Sequence, residues 1–466
     1  MKKQFLFGIF IMMFVCVQIV CGQAKYVFYF IGDGMGINQV NLAEAYLSNM
    51  NGERGSASLL MTGFPVASMA ATFSADNDVT DSAAAGTALA AGKKTKNGYI
   101  GVDSDVNHIE SIAEKAKKAG KKVGIASTVP INHATPAAFF GHQKNRNMYY
   151  EISLDMIKSE FDFFAGAGLY NRDKFYDKSD APDIFPLIEQ AGYTISKGYD
   201  DFKANAGKSK KVVLLHKNWE VTDGIPYAID RTQEDLSLKQ ITEAAIDVLM
   251  RDNKKGFFLM LEGGRIDWAG HANDAATNIH EIIDMDEAIK VAYEFYKKYP
   301  KETLIVITAD HETGGMTVGK GSMRANVLQY QKQSQDKLTE RIHELYKSKN
   351  GRVSWEETKN LLTETMGFWK EVPINWENEK ILRDAYEETL AKRRDVTERN
   401  MYSENALLAT KAKQILNEIA RIGWATGSHS ADFVPVFVIG AGQNLFTGKM
   451  DNTDIPKNIA KAAGYK

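Results

Sequence analysis

The feature that most constrains the fold is a series of short hydrophobic runs rich in β-branched and aromatic residues. They lie at 26–31, 123–128, 212–215, 257–261, 304–308 and 433–439, with helical periodicity between them at 108–119, 236–250 and 279–296. A strand that is apolar on both faces must be buried between two layers. Alternating such strands with helices predicts an α/β fold, a doubly wound and mostly parallel central sheet flanked by helices. The 466 residues allow two or three domains, but no linker or repeat divides the chain and only 10 prolines occur, so one large domain over 25–466 is expected. The stretch 322–422 departs from the pattern. It is charge-rich, with helical runs at 333–347, 355–365, 379–392 and 404–422 and no convincing core strand. It reads as a helical insertion over the sheet, either a solvated excursion or a lid.

Composition narrows the function classes. With 44% hydrophobic and 25% charged residues the chain is core-forming, not disordered, collagen-like or multi-span. Its 57 Lys+Arg against 59 Asp+Glu leave a formal charge of -2, without the basic excess that nucleic-acid binding needs. At the start of the chain Lys2 and Lys3 precede an apolar run over 5–20, and Gly22, Gln23 and Ala24 follow. This pattern predicts a secretory signal peptide over 1–22, too short an apolar run for the roughly 20 residues of a spanning helix. Export to the periplasm or beyond, with no stable membrane anchor, is therefore expected. Both cysteines, Cys16 and Cys21, fall in that segment. The mature chain would hold no disulfide, leaving packing or metal to stiffen it.

In open α/β sheets ligands bind beyond the carboxyl ends of the strands. Asp33, Glu262 and the pair Asp310-His311 each follow a predicted strand, and Thr135 lies in the loop after 123–128. The turn Phe30-Ile-Gly-Asp-Gly-Met-Gly36 lacks the full dinucleotide fingerprint, and its acid would repel a pyrophosphate but attract a cation. Ser82 begins an Ala-rich helix in Val79-Thr-Asp-Ser-Ala-Ala-Ala-Gly-Thr87. It is either an N-cap or a nucleophile set where small residues let a phosphate approach the free amides. The segment Glu262-Gly-Gly-Arg-Ile-Asp-Trp-Ala-Gly-His271 gathers mixed oxygen and nitrogen ligands suited to zinc, with Asp267 and His271 spaced i, i+4. His429 stands just before the last predicted strand. His108, His142, His216, His280 and His343 have no such company, and structural or surface roles are expected for most of them.

Taken together, these motifs resemble the alkaline phosphatase family. Asp33-Gly34, Asp81-Ser82 with its Ala-Ala-Gly-Thr continuation, His133-Ala-Thr-Pro-Ala-Ala138, Asn145-Arg-Asn147, Glu262 through His271, Thr308-Ala-Asp-His-Glu-Thr-Gly-Gly315 and His429 occur in the family's order. The resemblance concentrates in 25–150, 255–320 and 424–442. It implies two zinc ions and one magnesium: a first zinc on Asp267, His271 and His429, a second on Asp33, Asp310, His311 and, during reaction, Ser82, and magnesium on Asp33, Thr135 and Glu262. Arg146 would clamp two phosphate oxygens. Two departures stand out: His133 and Trp268 occupy positions bordering the magnesium site in the family, where many bacterial members carry Asp at the first and some carry Lys at the second. The implied activity is hydrolysis of a broad range of phosphate monoesters through a phosphoserine on Ser82, releasing inorganic phosphate, in a chain able to form a homodimer. A phosphodiesterase or phosphonate hydrolase of the same superfamily shares the zinc ligands, and a non-catalytic exported metal- or phosphate-binding protein is the rival from another class.

Overall fold

The computed structural model describes residues 23–55, 59–207, 209–220, 223–319, 321–392 and 396–466. The signal peptide expected over 1–22, with Cys16 and Cys21, lies outside the described residues.

Each apolar run that predicts a strand forms one: β1 (Tyr26–Gly32), β3 (Lys122–Ser127), β6 (Val212–Leu215), β7 (Phe257–Gly263), β8 (Thr303–Thr308) and the late strand Val434–Gly440. Four more strands join them: β2 (Val66–Ala71), β4 (Phe163–Gly166), β5 (Thr194–Lys197) and Lys449–Asp451. The 10-stranded sheet runs Lys449–Asp451, β2, Val434–Gly440, β8, β1, β7, β3, β4, β6, β5. At its centre β1 pairs in parallel with both β7 and β8, and every residue of these three strands is buried. Burying side chains such as Phe28, Phe30, Phe257 and Phe258 fully contributes on the order of 1.5–3 kcal/mol each.

One of the predicted strands departs from the mostly parallel order. Val434–Gly440 is antiparallel to both β8 and β2. The chain re-enters the sheet from His429, at the edge where the parallel strands end, so the strand that follows must run back. The helices keep to their predicted places with sharper limits. Ile112–Lys118 and Leu238–Met250 open on capping boxes, Ser111 with Glu114 and Ser237 with Gln240, and Ala275–Lys298 is capped by Asp274.

The insertion is helical, with Gln335–Ser348, Trp355–Met366, Trp376–Tyr386 and Leu407–Ala420. Two details differ from expectation. The third helix gives way to a π-helical turn at Glu387–Ala391, and residues 404–406, read as helix, form the second arm of a hairpin pairing Thr397–Arg399 with Glu404–Ala406. An antiparallel ribbon of Met316–Val318 with Ile422–Trp424 clasps the two ends of the insertion. Its apolar faces, including Leu338, Leu362, Leu382 and Leu408, are continuous with the core of the sheet. No helix among the described residues is long and apolar enough to cross a membrane.

Candidate active site and metal centre

Strand register sets the ends of the central strands level. Ile31 lies opposite Glu262 on one side and Thr308 on the other, and Ser127 also faces Glu262. Asp33, Glu262, Asp310 and His311 are thereby delivered to one edge, all with 0% exposure. Gly34 makes the crowding possible. It holds φ +71, and a Cβ there would come within 2.8 Å of the Asp267 backbone. Asp267 and His271 project from the short helix Arg265–His271. His429 is stapled beside them by the ribbon that pairs it with Thr313 and Ser430 with Glu312. Ser82 is the first residue of helix Ser82–Ala91, whose N-cap Asp81 accepts from the Ala84 amide at 2.9 Å.

The hydrogen-bond network fixes which ring nitrogens are bare. His271 Nδ1 contacts the Gly427 carbonyl at 2.7 Å and His429 Nδ1 the Thr80 carbonyl at 2.9 Å. A carbonyl only accepts, so both Nδ1 atoms carry protons and each ring, in its neutral form, presents an Nε2 lone pair. Those two Nε2 atoms face each other at 3.1 Å, with Asp267 Oδ1 at 3.4 and 3.6 Å. Three acceptors converging this closely call for a cation. His311 repeats the pattern. Thr313 spends its hydroxyl proton on Asp267 Oδ1 at 2.5 Å and so accepts from His311 Nδ1 at 3.2 Å. The bare His311 Nε2 then looks at Ser82 Oγ (3.2 Å), Asp33 Oδ1 (3.3 Å) and Asp310 Oδ2 (3.4 Å). Such separations match the edges, about 3.3–3.5 Å, of a tetrahedron with bonds of about 2.0–2.1 Å.

Orphaned carboxylate oxygens point the same way. Neither oxygen of Asp33 has a hydrogen-bond partner, nor has Asp267 Oδ2 or Glu262 Oε1. Burial, and then the charge of Asp310, pushes Asp33 well above the ordinary carboxylate range. Burial also lifts Glu262 to about 8 and Asp310 to about 6. Burial would raise Asp267 too, but His271, His429 and His311 together pull it below the usual range. Bound cations would hold all four carboxylates ionised, so the donor sets fit a metal centre.

A third group forms around Asp33 and Glu262. The buried Thr135 hydroxyl donates to Asp310 Oδ2 at 3.1 Å. A ring nitrogen of His133 also lies within 4.8 Å of the Asp33 and Glu262 ligand atoms. The second Glu262 oxygen accepts from Ser127. His133 Nε2 lies 3.4 Å from Arg146, which can only donate, so the proton sits on Nδ1, the nitrogen left without a partner. Burial, reinforced by Arg146, lowers the His133 pKa to about 3 and keeps the ring neutral. Arg146 pairs with Asp81 Oδ2 at 3.0 Å, which ties the guanidinium to the start of the Ser82 helix. Trp268 meets His133 edge-on at 6.1 Å and stacks on Tyr402 at 4.7 Å.

The alkaline phosphatase family model matches residues 24–162 and 189–465. The chain belongs to the alkaline phosphatase family. Alkaline phosphatase 3 of Bacillus subtilis is 33% identical over 95% of this chain and 90% of its own length. The repressible alkaline phosphatase of Saccharomyces cerevisiae is 28% identical over 93% and 80%. Among solved structures, a cold-active alkaline phosphatase from a psychrophilic Shewanella superposes with TM-score 0.78 at 28% identity, covering 94% of this chain and 99% of that one. Membership makes the chain a metal-dependent phosphatase, and the family match runs through 322–422, beyond the stretches that carry the motifs.

The candidate centre thus brings together Ser82, Arg146, Asp33, Thr135, Glu262, Asp267, His271, Asp310, His311 and His429. Sequence reasoning leaves out several residues that complete it. Asp81 is visible in the motif, but its pairing with Arg146 is not. Thr313 lies inside the Asp-His-Glu-Thr run, yet only the fold shows it bridging Asp267 and His311. Tyr402 comes from the insertion, where no local signal marks it.

Proposed function

We propose that the chain hydrolyses phosphate monoesters through a phosphoserine on Ser82, with a zinc ion held by Asp267, His271 and His429 and a second by Asp33, Asp310 and His311. The observation that carries this reading is Ser82 Oγ, buried at a helix N-terminus, 3.2 Å from the bare Nε2 of His311. Imidazole with carboxylate suits zinc. When bound, the ions lower the pKa of the attacking hydroxyl and water and neutralise charge on the phosphoryl and leaving oxygens.

The chain's own residues supply the rest. Ser82 Oγ releases its proton to solvent and forms the new O–P bond as the ester O–P bond breaks, and the leaving oxygen departs with a proton from solvent. Water then attacks phosphorus from the vacated side, expelling Ser82 Oγ and releasing inorganic phosphate. The free amides and dipole of the Ser82–Ala91 helix favour the dianion, and the small side chains Ala83, Ala84 and Ala85 let it come close. Arg146, held by Asp81, has further N–H groups for two phosphate oxygens. With recognition concentrated on the phosphoryl group, many leaving groups are accepted.

The third group, Asp33 and Glu262 with Thr135 nearby, is the magnesium position, and His133 sets its preference. An imidazole there softens a site that oxygen ligands alone would make hard. The alkaline phosphatase from the Antarctic bacterium TAB5, 28% identical, has been solved as a histidine-to-aspartate mutant with Mg bound in its M3 site, which supports this reading.

Replacing Ser82 with Ala tests the nucleophile. Turnover of an aryl phosphate is expected to fall at least about 10³-fold, and acid quenching with labelled substrate should leave phosphate on Ser82 of the unmodified protein. Wild-type turnover in Ser82→Ala sinks the assignment. A faster rate on aryl phosphodiesters than on monoesters redirects the substrate class.

A further inference from the structure

Away from the active centre the fold assembles another group of metal-ligating side chains and corrects the reading of two histidines as lacking company. The ligand atoms of His108, Glu114 and His142 all lie within 4.8 Å of one another. His108 ends a loop bridged to Val102, Glu114 lies in the first turn of helix Ile112–Lys118, and His142 lies on the segment that leads to Arg146.

Two of the three ligands are oriented by a second contact. Glu114 Oε2 accepts from the Ser111 amide at 2.7 Å, which leaves Oε1 to face both imidazoles. His142 Nδ1 lies 2.8 Å from the Gly101 carbonyl, so it carries a proton, and Nε2 faces Glu114 Oε1 at 3.3 Å, donating to it when the ring is protonated and free to hold a cation when the ring is neutral. His108 Nε2 lies 3.4 Å from the same oxygen. This is the signature of the active centre, where a histidine pinned through Nδ1 to a carbonyl aims Nε2 at Asp267 Oδ1, 3.4 Å away. The separations again match the edges of a tetrahedron with bonds of about 2.0–2.1 Å. Burial works to raise the Glu114 pKa, but the bonds from His142 and Ser111 hold it below the usual range, so the carboxylate is charged. The two rings stack at 3.6 Å. His108, whose side chain is 54% exposed, gives an ion from solvent its path in.

We propose that His108, Glu114 and His142 form a further divalent-cation site, for zinc or a cation of like ligand preference, with three protein ligands and a position left to water. Occupancy would brace the segment that carries Arg146. Ile100 pairs with Gln143, the Arg146 amide donates to Gly98 at 2.8 Å, and the Gly101 amide donates to Thr87 of the Ser82 helix at 2.9 Å. A cation holding the 101–108 loop to His142 closes this frame from outside.

The test uses the full chain, its His108→Ala variant and its His142→Gln variant, each equilibrated with excess zinc and desalted before metal analysis. The wild type should retain one zinc equivalent more than either variant. Its thermal midpoint should also gain a few degrees at zinc concentrations above those that saturate activity, a gain both variants lose while His108→Ala keeps turnover within about twofold. Equal metal content in all three proteins overturns the proposal. So does a stabilisation that appears only below about pH 6.5 and ignores zinc, because that marks a protonated histidine–glutamate pair.

Discussion

His133 is a neutral imidazole where its neighbours Asp33 and Glu262 offer oxygen, and its Nε2 is engaged by Arg146. An imidazole serves magnesium poorly, and this one is already engaged by Arg146, so His133 stands against a hard cation at the third position. His133→Asp removes the conflict and makes the group all-oxygen, so the half-saturating magnesium concentration for activity is expected to fall about tenfold or more, with little change in zinc content. Magnesium titration with metal analysis checks this, and a change in zinc rather than magnesium refutes it. A different residue carries a clean pH signature. Burial, and then the charge of Asp284, lifts Glu281 to about 7 although it accepts from the Ala228 amide. An acid raised on folding binds protons more tightly in the folded state, so its stabilising contribution is full below its unfolded pKa, near 4.3, and is lost as pH rises through about 7. Glu281→Gln keeps the amide acceptor and cannot ionise. Its midpoint, relative to wild type, should climb between pH 4.5 and 7.5 and then level off; a difference that stays flat across that range removes Glu281 as the source.

At the scale of elements, the hairpin Thr397–Arg399 with Glu404–Ala406 gives the insertion its connection to the active site. The hairpin turn carries Tyr402, whose ring lies on Trp268 with an interplanar angle of 18° and meets His271 at 5.2 Å and His133 at 6.2 Å. A stack of this kind contributes about 0.5–1.5 kcal/mol beyond the area it buries, and here it positions the helix bearing Asp267 and His271. Tyr402→Phe should keep kcat/KM for an aryl phosphate within about twofold, since the ring is retained. Tyr402→Ala should lower it about tenfold, the range that about 1.4 kcal/mol spans. If Phe and Ala lose activity equally, the hydroxyl acts and the stacking account fails. The same hairpin shows where sequence reading stops. Long apolar runs announce β1, β7 and β8 because each strand is buried on both faces. β4 and β5 are as short as Val212–Leu215 but lack its unbroken aliphatic run, β4 ending in Gly166 and β5 mixing Thr194, Ser196 and Lys197 with Ile195. Most ligands were legible because strand ends deliver them within a few residues of an apolar run. Tyr402 and the Asp81–Arg146 pair depend on contacts between distant segments.

At the scale of the whole molecule, both cysteines fall in the first 22 residues, so no disulfide ties the described residues together. What would tie them at the sheet edge is the proposed metal centre, whose candidate ligands come from the ends of β1, β7 and β8, the helix Arg265–His271 and the ribbon that follows the insertion. An ion present at about 1,000 times its dissociation constant adds about 4 kcal/mol to stability. Unfolding entropy scales with length, and for a chain this long 1 kcal/mol shifts the midpoint by about 1 °C. Stripping two such ions should therefore lower the thermal midpoint by about 8–10 °C, and more where the buried carboxylates Asp33, Asp267 and Asp310 are left facing one another without a cation. Calorimetry of the chelated protein, then of the same sample after zinc and magnesium are returned, measures the loss and its recovery. Ser82→Ala should show the same loss, because three protein ligands remain for each zinc when the hydroxyl is gone. A midpoint indifferent to chelation would mean that packing alone holds this edge, and the four converging carboxylates would then have to be neutralised by protons.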